Sequence, residues 1–106
     1  MTGIVSVYAT FADEEEARRI GRLVVEERLA ACVNILGACH SIYRWQGKVE
    51  EESEAAAVFK VTAGQAELLI KRIAQLHSYD VPAAVVWPIA DAPESYRRWV
   101  LENSGR

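Results

Sequence analysis

Apolar and polar positions along the chain predict four β-strands. Residues 3–10 form a nearly continuous apolar run, which is typical of a central strand covered on both faces. Residues 31–45 and 48–61 are rich in β-branched, aromatic and alternating positions, which indicate two long strands. Residues 83–89 form a short apolar run that predicts a buried strand, and Pro88 marks its end or an edge position.

Apolar residues at helical spacing between these strands predict three helices. Asp13 is the expected N-cap of the first helix, and Glu16 completes a capping box three residues later. The second helix is expected to open with the capping signature TAGQ at residues 62–65 and to end near Leu76. A short last helix is expected to follow Asp91 as its N-cap.

The stretch SIYRWQGKVEEESE, residues 41–54, predicts the tip of a long β-hairpin. Residues 46–47 (QG) suit a two-residue turn, because glycine supplies the positive φ that such turns require. That turn places Tyr43 opposite Glu50. The row of glutamates in the second arm has two interpretations, which are oxygen ligation of hard cations and protection of an exposed strand against wrong pairing.

Gly37 lies inside the first arm of this hairpin, where we expect a bulge or a bend. Cys32 and Cys39 are predicted to share that strand, roughly 23 Å apart at about 3.3 Å per residue. Their odd spacing predicts opposite faces of the sheet, and a disulfide needs Cα atoms within about 7 Å. We therefore expect two reduced thiols, as in cytoplasmic proteins.

The predicted order is β-α-β-β-α-β with an extra C-terminal helix. Two right-handed crossovers joined by a hairpin give an α+β, ferredoxin-like sheet with both crossover helices on one face. This topology leaves the second and fourth strands at the edges and one face of the sheet uncovered. Because exposed edges and apolar faces favour association, we expect a closed homo-oligomer.

Length and charge narrow the class of protein. The 106 residues predict one domain, residues 1–106. The net charge of −3 and the absence of a basic stripe make nucleic acid a poor partner. No apolar run approaches the ~20 residues of a membrane span. The first residues lack the pattern of a secretory signal, so we expect a cytoplasmic protein.

Candidate chemistry is sparse. Phosphate loops and the HExxH and CxxC zinc motifs are absent from the sequence. A serine-histidine-aspartate site built from adjacent loop residues 77–80 is unfavourable, because such sites depend on geometry that neighbours rarely provide. Cys32 is either a small buried hydrophobe or a soft metal ligand. His77 and Tyr79 either line a cleft against Lys60, or His77 caps helix carbonyl groups.

Several segments, taken together, resemble the CutA divalent-cation tolerance family over nearly the whole chain. They are RLAACVN at 28–34, SIYRWQGKVEEESE at 41–54, FKVT at 59–62, HSYDVP at 77–82, and PI followed by YRRW at 88–99. The resemblance implies a ferredoxin-like subunit in a homotrimer, with kinship to trimeric PII signalling proteins. It also implies an inter-subunit ligand cleft, whose matching residues here are Tyr43, Trp45, Lys60, His77 and Tyr79.

The resemblance implies a role in tolerance of divalent metal ions, copper among them, without catalysis and without a required cofactor. Cys32 is the matching thiol, and Cys32 and His77 are the expected metal ligands. The loop departs from the family pattern HPYEVP at Ser78 and Asp80. Two alternatives stay open, which are a PII-like sensor binding an anionic effector near Lys60 and Arg44, and a structural trimeric anchor for a partner protein.

Overall fold

The computed structural model describes residues 2–105 and contains four strands, three α-helices and one turn of 3₁₀ helix. The elements in chain order are β1 (Ile4–Phe11), α1 (Glu14–Glu26), β2 (Cys32–Trp45), β3 (Lys48–Thr62), the 3₁₀ turn (Ala63–Gln65), α2 (Ala66–Leu76), β4 (Ala84–Pro88) and α3 (Glu94–Asn103). This order confirms the predicted β-α-β-β-α-β arrangement with an additional C-terminal helix.

The strands form one sheet in the order β2-β3-β1-β4, and each neighbouring pair is antiparallel. β1 lies between β3 and β4, as its continuous apolar run predicted. β2 and β4 lie at the edges, as two right-handed crossovers require. The ferredoxin-like α+β prediction is therefore confirmed.

Helices α1 and α2 pack on one face of the sheet and form the main core with it. Alternate residues of β1 and β3 point to this face, because side chains of a strand alternate between the two sides. The fully buried large side chains of this cluster are Val7, Phe11, Ile20, Val24, Phe59, Val61, Leu69 and Ile73. We call the opposite side, which carries Tyr8, Val58 and Trp87, the open face.

Helix α3 packs on the open face and covers one end of it. Its buried Val100 contacts Ile4 of β1 and Ala31 just before β2, which form a second, smaller cluster. The expectation that this face is wholly uncovered is therefore wrong. The apolar side of α3 packs on one end of the open face.

The N-terminus of α1 has the predicted cap. The Asp13 Oδ1 atom accepts a hydrogen bond of 2.8 Å from the Glu16 backbone N–H. Glu16 reaches back and accepts a bond of 3.0 Å from the N–H of Ala12, one residue before the cap. Asp13 thus satisfies one donor of the first helical turn, and Glu16 satisfies the N–H of the residue before the cap in place of the N–H of Asp13 itself.

The capping predictions for α2 and α3 are wrong. The Thr62 side chain makes no capping bond, and its hydroxyl instead contacts the Ser104 hydroxyl at 2.8 Å. A 3₁₀ turn opens α2 in place of the expected box. Helix α3 begins after Pro93, while Asp91 accepts a bond from the N–H of Ala92. Both polar side chains therefore bond to groups outside the first turns of these helices.

The hairpin tip forms as predicted. Gln46 and Gly47 have φ values of 51° and 83°, the two positive angles of a type I′ turn. Tyr43 lies opposite Glu50 in the ladder. The twist of this turn matches the twist of the flanking strands, so it fixes the register of both arms.

The predicted irregularity at Gly37 is a β-bulge. Ile35 pairs with Ala57 and Gly37 pairs with Ala56, so Leu36 is the extra residue, and Gly37 has φ 101°. The bulge shifts the alternation of every later residue in β2 by one.

This shift corrects the prediction that the two cysteines lie on opposite faces. Cys32 pairs with Lys60 and Cys39 pairs with Glu54, and these two partners lie six residues apart on an uninterrupted strand. Because directly opposed residues share a face, both thiols lie on the same face. Both are free, as expected.

Strand β4 is not buried within the single chain, which corrects that prediction. Val85, Val86 and Trp87 are all exposed large apolar side chains, and Trp87 stacks on Tyr8 with ring centroids 4.9 Å apart. The edge position removes neighbours from one side of this strand. Among residues 2–105, no helix has the length and apolar character needed to cross a membrane.

Candidate functional site

A groove of about 560 Å³ lies on the open face between the β2–β3 hairpin and the loop of residues 77–83. Its lining is dominated by three aromatic side chains and four carboxylates. We call it the acidic groove, and its lining residues are Thr10, Ser41, Tyr43, Trp45, Glu50, Glu52, Glu54, Tyr79, Asp80, Val81 and Ala83. The bulge at Leu36 places Ser41, Tyr43 and Trp45 on this face.

Two tyrosines in the groove hydrogen-bond to glutamates of β3. The Tyr79 hydroxyl donates to Glu54 Oε2 at 2.8 Å, and the Ser41 hydroxyl donates to the other oxygen of the same carboxylate. Burial, together with Glu54, raises the pKa of Tyr79. A hydrogen bond with Glu52 raises the pKa of Tyr43. Burial is the larger cause at Tyr79 and the bond with Glu52 is the larger cause at Tyr43, and in both cases neighbouring carboxylates also penalise the ionised phenol.

His77 supports the loop from beneath. The imidazole is 9% exposed and stacks on Phe11 with ring centroids 5.0 Å apart. Its Nε2 lies 2.8 Å from the carbonyl oxygen of Thr10, and its Nδ1 lies 3.1 Å from the backbone nitrogen of Tyr79. Since a carbonyl only accepts and an amide N–H only donates, Nε2 carries the proton and Nδ1 accepts.

Glu16 connects the start of α1 to the same loop. Besides its bond from Ala12, it accepts a bond of 2.8 Å from the N–H of Ser78. Burial by itself raises the pKa of Glu16, but the bonds from Ala12 and Ser78 outweigh it and hold the pKa below its usual value. The capping residue thus also positions the segment that carries Tyr79.

The structure brings together three of the five predicted cleft residues. Tyr43, Trp45 and Tyr79 line the acidic groove. His77 bonds to the carbonyl oxygen of Thr10, so it does not cap helix carbonyl groups. It is also not among the residues that line the groove. Lys60 lies towards the other end of the sheet, where its Nζ donates to Asn34 at 3.3 Å. Whether neighbouring subunits complete a cleft from these residues stays a prediction.

The two predicted metal ligands lie apart in one chain. Cys32 is half-buried with its Sγ 3.7 Å from the Tyr96 hydroxyl, and burial together with the thiol raises the pKa of Tyr96 to about 12. In the sheet, Cys32 lies in the same row as Ser6 of β1, whereas His77 bonds to Thr10 of that strand. Ser6 and Thr10 are four residues apart, which is roughly 13 Å along the strand. Within the described chain, no three His, Cys, Asp or Glu side chains are grouped to hold a metal ion.

Sequence reasoning missed two contributors to the site. Asp80 lines the groove, and Glu16 clamps the loop. The sequence did not predict that Asp80 lines the groove, because the position of this side chain depends on the path of an irregular loop. The capping pattern does predict a role for Glu16, but such a pattern accounts for one of its oxygens only and does not reveal that the other accepts a bond from Ser78.

The chain is similar to known proteins over almost its whole length. A family model described as "CutA1 divalent ion tolerance protein" matches residues 5–103. The divalent-cation tolerance protein CutA of Thermus thermophilus is 46% identical over 99 residues, covering 93% of this chain and 96% of the relative. The protein of the same name from Pyrococcus horikoshii is 39% identical over 101 residues, covering 95% and 98%.

The fold agrees with this similarity. The solved structure of the divalent cation tolerance protein CutA1 from Thermus thermophilus superposes with a TM-score of 0.93 at 45% identity, covering 96% of this chain and 99% of that one. Sequence and fold therefore identify the same family. The chain belongs to the CutA1 divalent ion tolerance family.

Proposed function

We propose that this protein acts in tolerance of divalent cations by binding a metal ion, copper in the first instance, as a homotrimer without catalysis. The observation that carries the proposal is the family match over residues 5–103. The names of the relatives describe tolerance proteins and not enzymes. A cytoplasmic location is part of the same proposal.

Exposed apolar surface supports the trimer. Ile42 and Val49 on the hairpin, and Val85 and Trp87 on the edge strand β4, are large apolar side chains open to solvent in the single chain. The outer edges of β2 and β4 also carry unpaired backbone groups. Both features favour burial against further copies of the chain.

We place the metal site between subunits. Cys32 and His77 lie roughly 13 Å apart along the strands of one subunit, so they do not bind one ion within a chain. Copper(I) prefers soft sulfur ligands, and imidazole suits copper in general. His77 would have to exchange one of its two hydrogen bonds for the metal.

Calorimetric titration tests this proposal. Cu(I) under anaerobic conditions and Cu(II) are titrated separately into the wild type, Cys32→Ala and His77→Ala. Cys39→Ala and His40→Ala are the matched controls, since they remove the chain's other thiol and other imidazole. We expect one ion per subunit in the wild type and loss of binding in a Cys32 or His77 variant that keeps its oligomeric state. Equal binding in all five proteins would contradict the site.

The two other functions have less support. An anionic effector would meet four carboxylates in the acidic groove, which repel it. Lys60 and Arg44 remain candidates for such an effector elsewhere on the molecule. A structural anchor would be favoured if substitution of Cys32, His77, Lys60 and Arg44 left the cellular function intact.

A further inference from the structure

Helix α3 is anchored by fewer buried residues than the other two helices. Among residues 2–105 it buries one residue, Val100, whereas α1 buries five and α2 buries three. It joins β4 through residues 89–93, which form neither helix nor strand. Segments with few buried apolar contacts open at a lower free energy than the core does. Since the described residues of the main core cluster include none from α3, this helix can detach without disrupting that core.

The residue that ends α3 is bonded to the end of β3. The Ser104 hydroxyl is 5% exposed, accepts the N–H of Thr62 at 2.9 Å, and donates to the carbonyl oxygen of Val100 at 2.7 Å. The Thr62 hydroxyl lies 2.8 Å from the same oxygen. One buried hydroxyl group therefore joins the last turn of α3 to the sheet.

Arg28, which follows α1, holds the same end of α3 from the other side. Its guanidinium group donates to the carbonyl oxygen of Glu102, and its own carbonyl oxygen accepts the N–H of Gly105, each at 2.7 Å. The last turn of a helix leaves carbonyl groups without partners inside the helix, and Arg28 and Ser104 satisfy two of them. We call these contacts the latch, and its residues are Arg28, Thr62, Ser104 and Gly105.

The latched helix lies over the Cys32 thiol. The Tyr96 hydroxyl, in the first turn of α3, is 3.7 Å from the Cys32 Sγ atom. Cys32 is free and half-buried, and the neighbouring Ala31 packs in one cluster with the buried Val100 of α3. The reactivity of a thiol depends on the access of a reagent to its sulfur atom. Access to Cys32 therefore depends on the position of α3.

We propose that α3 is a detachable cover over the Cys32 thiol, and that the latch holds this cover closed. The helix leaves the open face as a unit, while the sheet, α1 and α2 stay folded. Detachment separates Tyr96 from Cys32 and exposes the sulfur atom to molecules that react with thiols. The proposal goes beyond the proposed function, because it concerns access to Cys32 and holds whichever ligand this thiol takes.

The rate at which Ellman's reagent modifies Cys32 tests the proposal. Every protein carries Cys39→Ala, so that Cys32 is its only thiol, and a metal chelator is present. Ser104→Ala removes the hydroxyl group of the latch, and Ser95→Ala, at an exposed serine of the same helix, is the matched control. Ile73→Val is a second control, because it removes a methylene group from the main core and leaves α3 unchanged. Oligomeric state and circular dichroism are recorded for each protein.

We expect Ser104→Ala to accelerate the modification of Cys32 about tenfold, because the N–H of Thr62 then lacks its partner in the closed state. Ser95→Ala and Ile73→Val should leave the rate unchanged within about twofold, since neither alters the local opening of α3. An unchanged rate in Ser104→Ala would overturn the proposal. So would an equal acceleration by Ile73→Val, which would mean that Cys32 reacts through unfolding of the whole molecule.

Hydrogen exchange of the wild type keeps the test valid if a variant folds poorly. The amides of residues 98–103 should exchange together and faster than the amides of α1 and β1, because α3 opens alone. Exchange of these amides at the rate of the β1 amides would contradict a detachable helix. Because no copper is present, these results do not bear on the copper titration.

Discussion

Single side chains with two partners decide the geometry of the loop beside the groove. His77 holds the carbonyl of Thr10 with one nitrogen and the N–H of Tyr79 with the other. Glu16 uses its two oxygens in the same way, on Ala12 and Ser78. Each residue therefore joins the end of β1 or the start of α1 to the segment that carries Tyr79.

Replacing Glu16 by Gln should lower the free energy of unfolding by about 1–2 kcal/mol at neutral pH, because an amide retains only one acceptor oxygen for two backbone donors. The pKa of Glu16 is lowered in the folded state from an ordinary value of 4.5. Its contribution to stability is therefore complete above about pH 4.5 and is lost as the pH falls through the folded-state pKa.

Urea unfolding of the wild type and Glu16→Gln between pH 3 and pH 7 measures this effect. The difference between the two proteins should shrink towards acid. Glu15→Gln, an exposed neighbour in the first turn, is the control. A difference that stays constant with pH would show that the charge of Glu16 does not contribute.

For single side chains, the sequence predicted bonds to nearby residues better than bonds to residues far away in the chain. The D-x-x-E pattern predicted the cap at Asp13, because that bond closes within four residues. The same logic failed at Thr62, whose hydroxyl meets Ser104, 42 residues later in the chain. A local motif does not reveal a long-range partner, and for the same reason the placement of Asp80 was not predictable.

Among the elements, β2 has the largest effect on the site. Its bulge at Leu36 turns the outer part of the strand so that Tyr43 and Trp45 lie in the acidic groove. The glycine after the bulge has φ 101°, which disfavours any side chain.

Substitution of Gly37 by Ala should destabilise the protein by about 1–2 kcal/mol, since an alanine at positive φ places its Cβ too close to the backbone. A Cβ at Gly37 has no neighbour within 4 Å, so the whole cost is conformational. Gly64→Ala is the matched control, because that position also has open space but no positive φ. Thermal unfolding compares the two, and equal melting temperatures would contradict a strained conformation at Gly37.

The sequence predicted the positions of the strands well, but not the faces beyond the bulge. A glycine inside a strand predicted an irregularity, yet only the pairing shows that one extra residue is inserted. That residue moved Cys39 to the face of Cys32. The prediction that β4 is buried was wrong for a different reason. An apolar run indicates that a strand favours burial, but it does not indicate whether the chain itself or another copy of it provides the contacts.

For the whole molecule, the exposed apolar surface is the main support for assembly. Replacing Val85 by Lys should shift the proposed trimer towards smaller species, because the change puts a charge on an apolar edge strand. Leu68→Lys on helix α2 is the control, with Leu68 52% exposed against 48% for Val85. Light scattering after size-exclusion chromatography gives the masses. An unchanged mass for Val85→Lys would exclude Val85 from the interface, and a wild-type monomer would contradict the trimer.

The proposed function places copper at sites shared between subunits of this CutA1-family protein. Anomalous diffraction at the copper edge, from crystals of the copper-loaded wild type, tests it most directly. We expect one ordered ion per subunit, bonded to Cys32 or His77 and to at least one donor of a neighbouring subunit. No ordered copper, or copper only at the exposed pair His40 and Glu51, would contradict it.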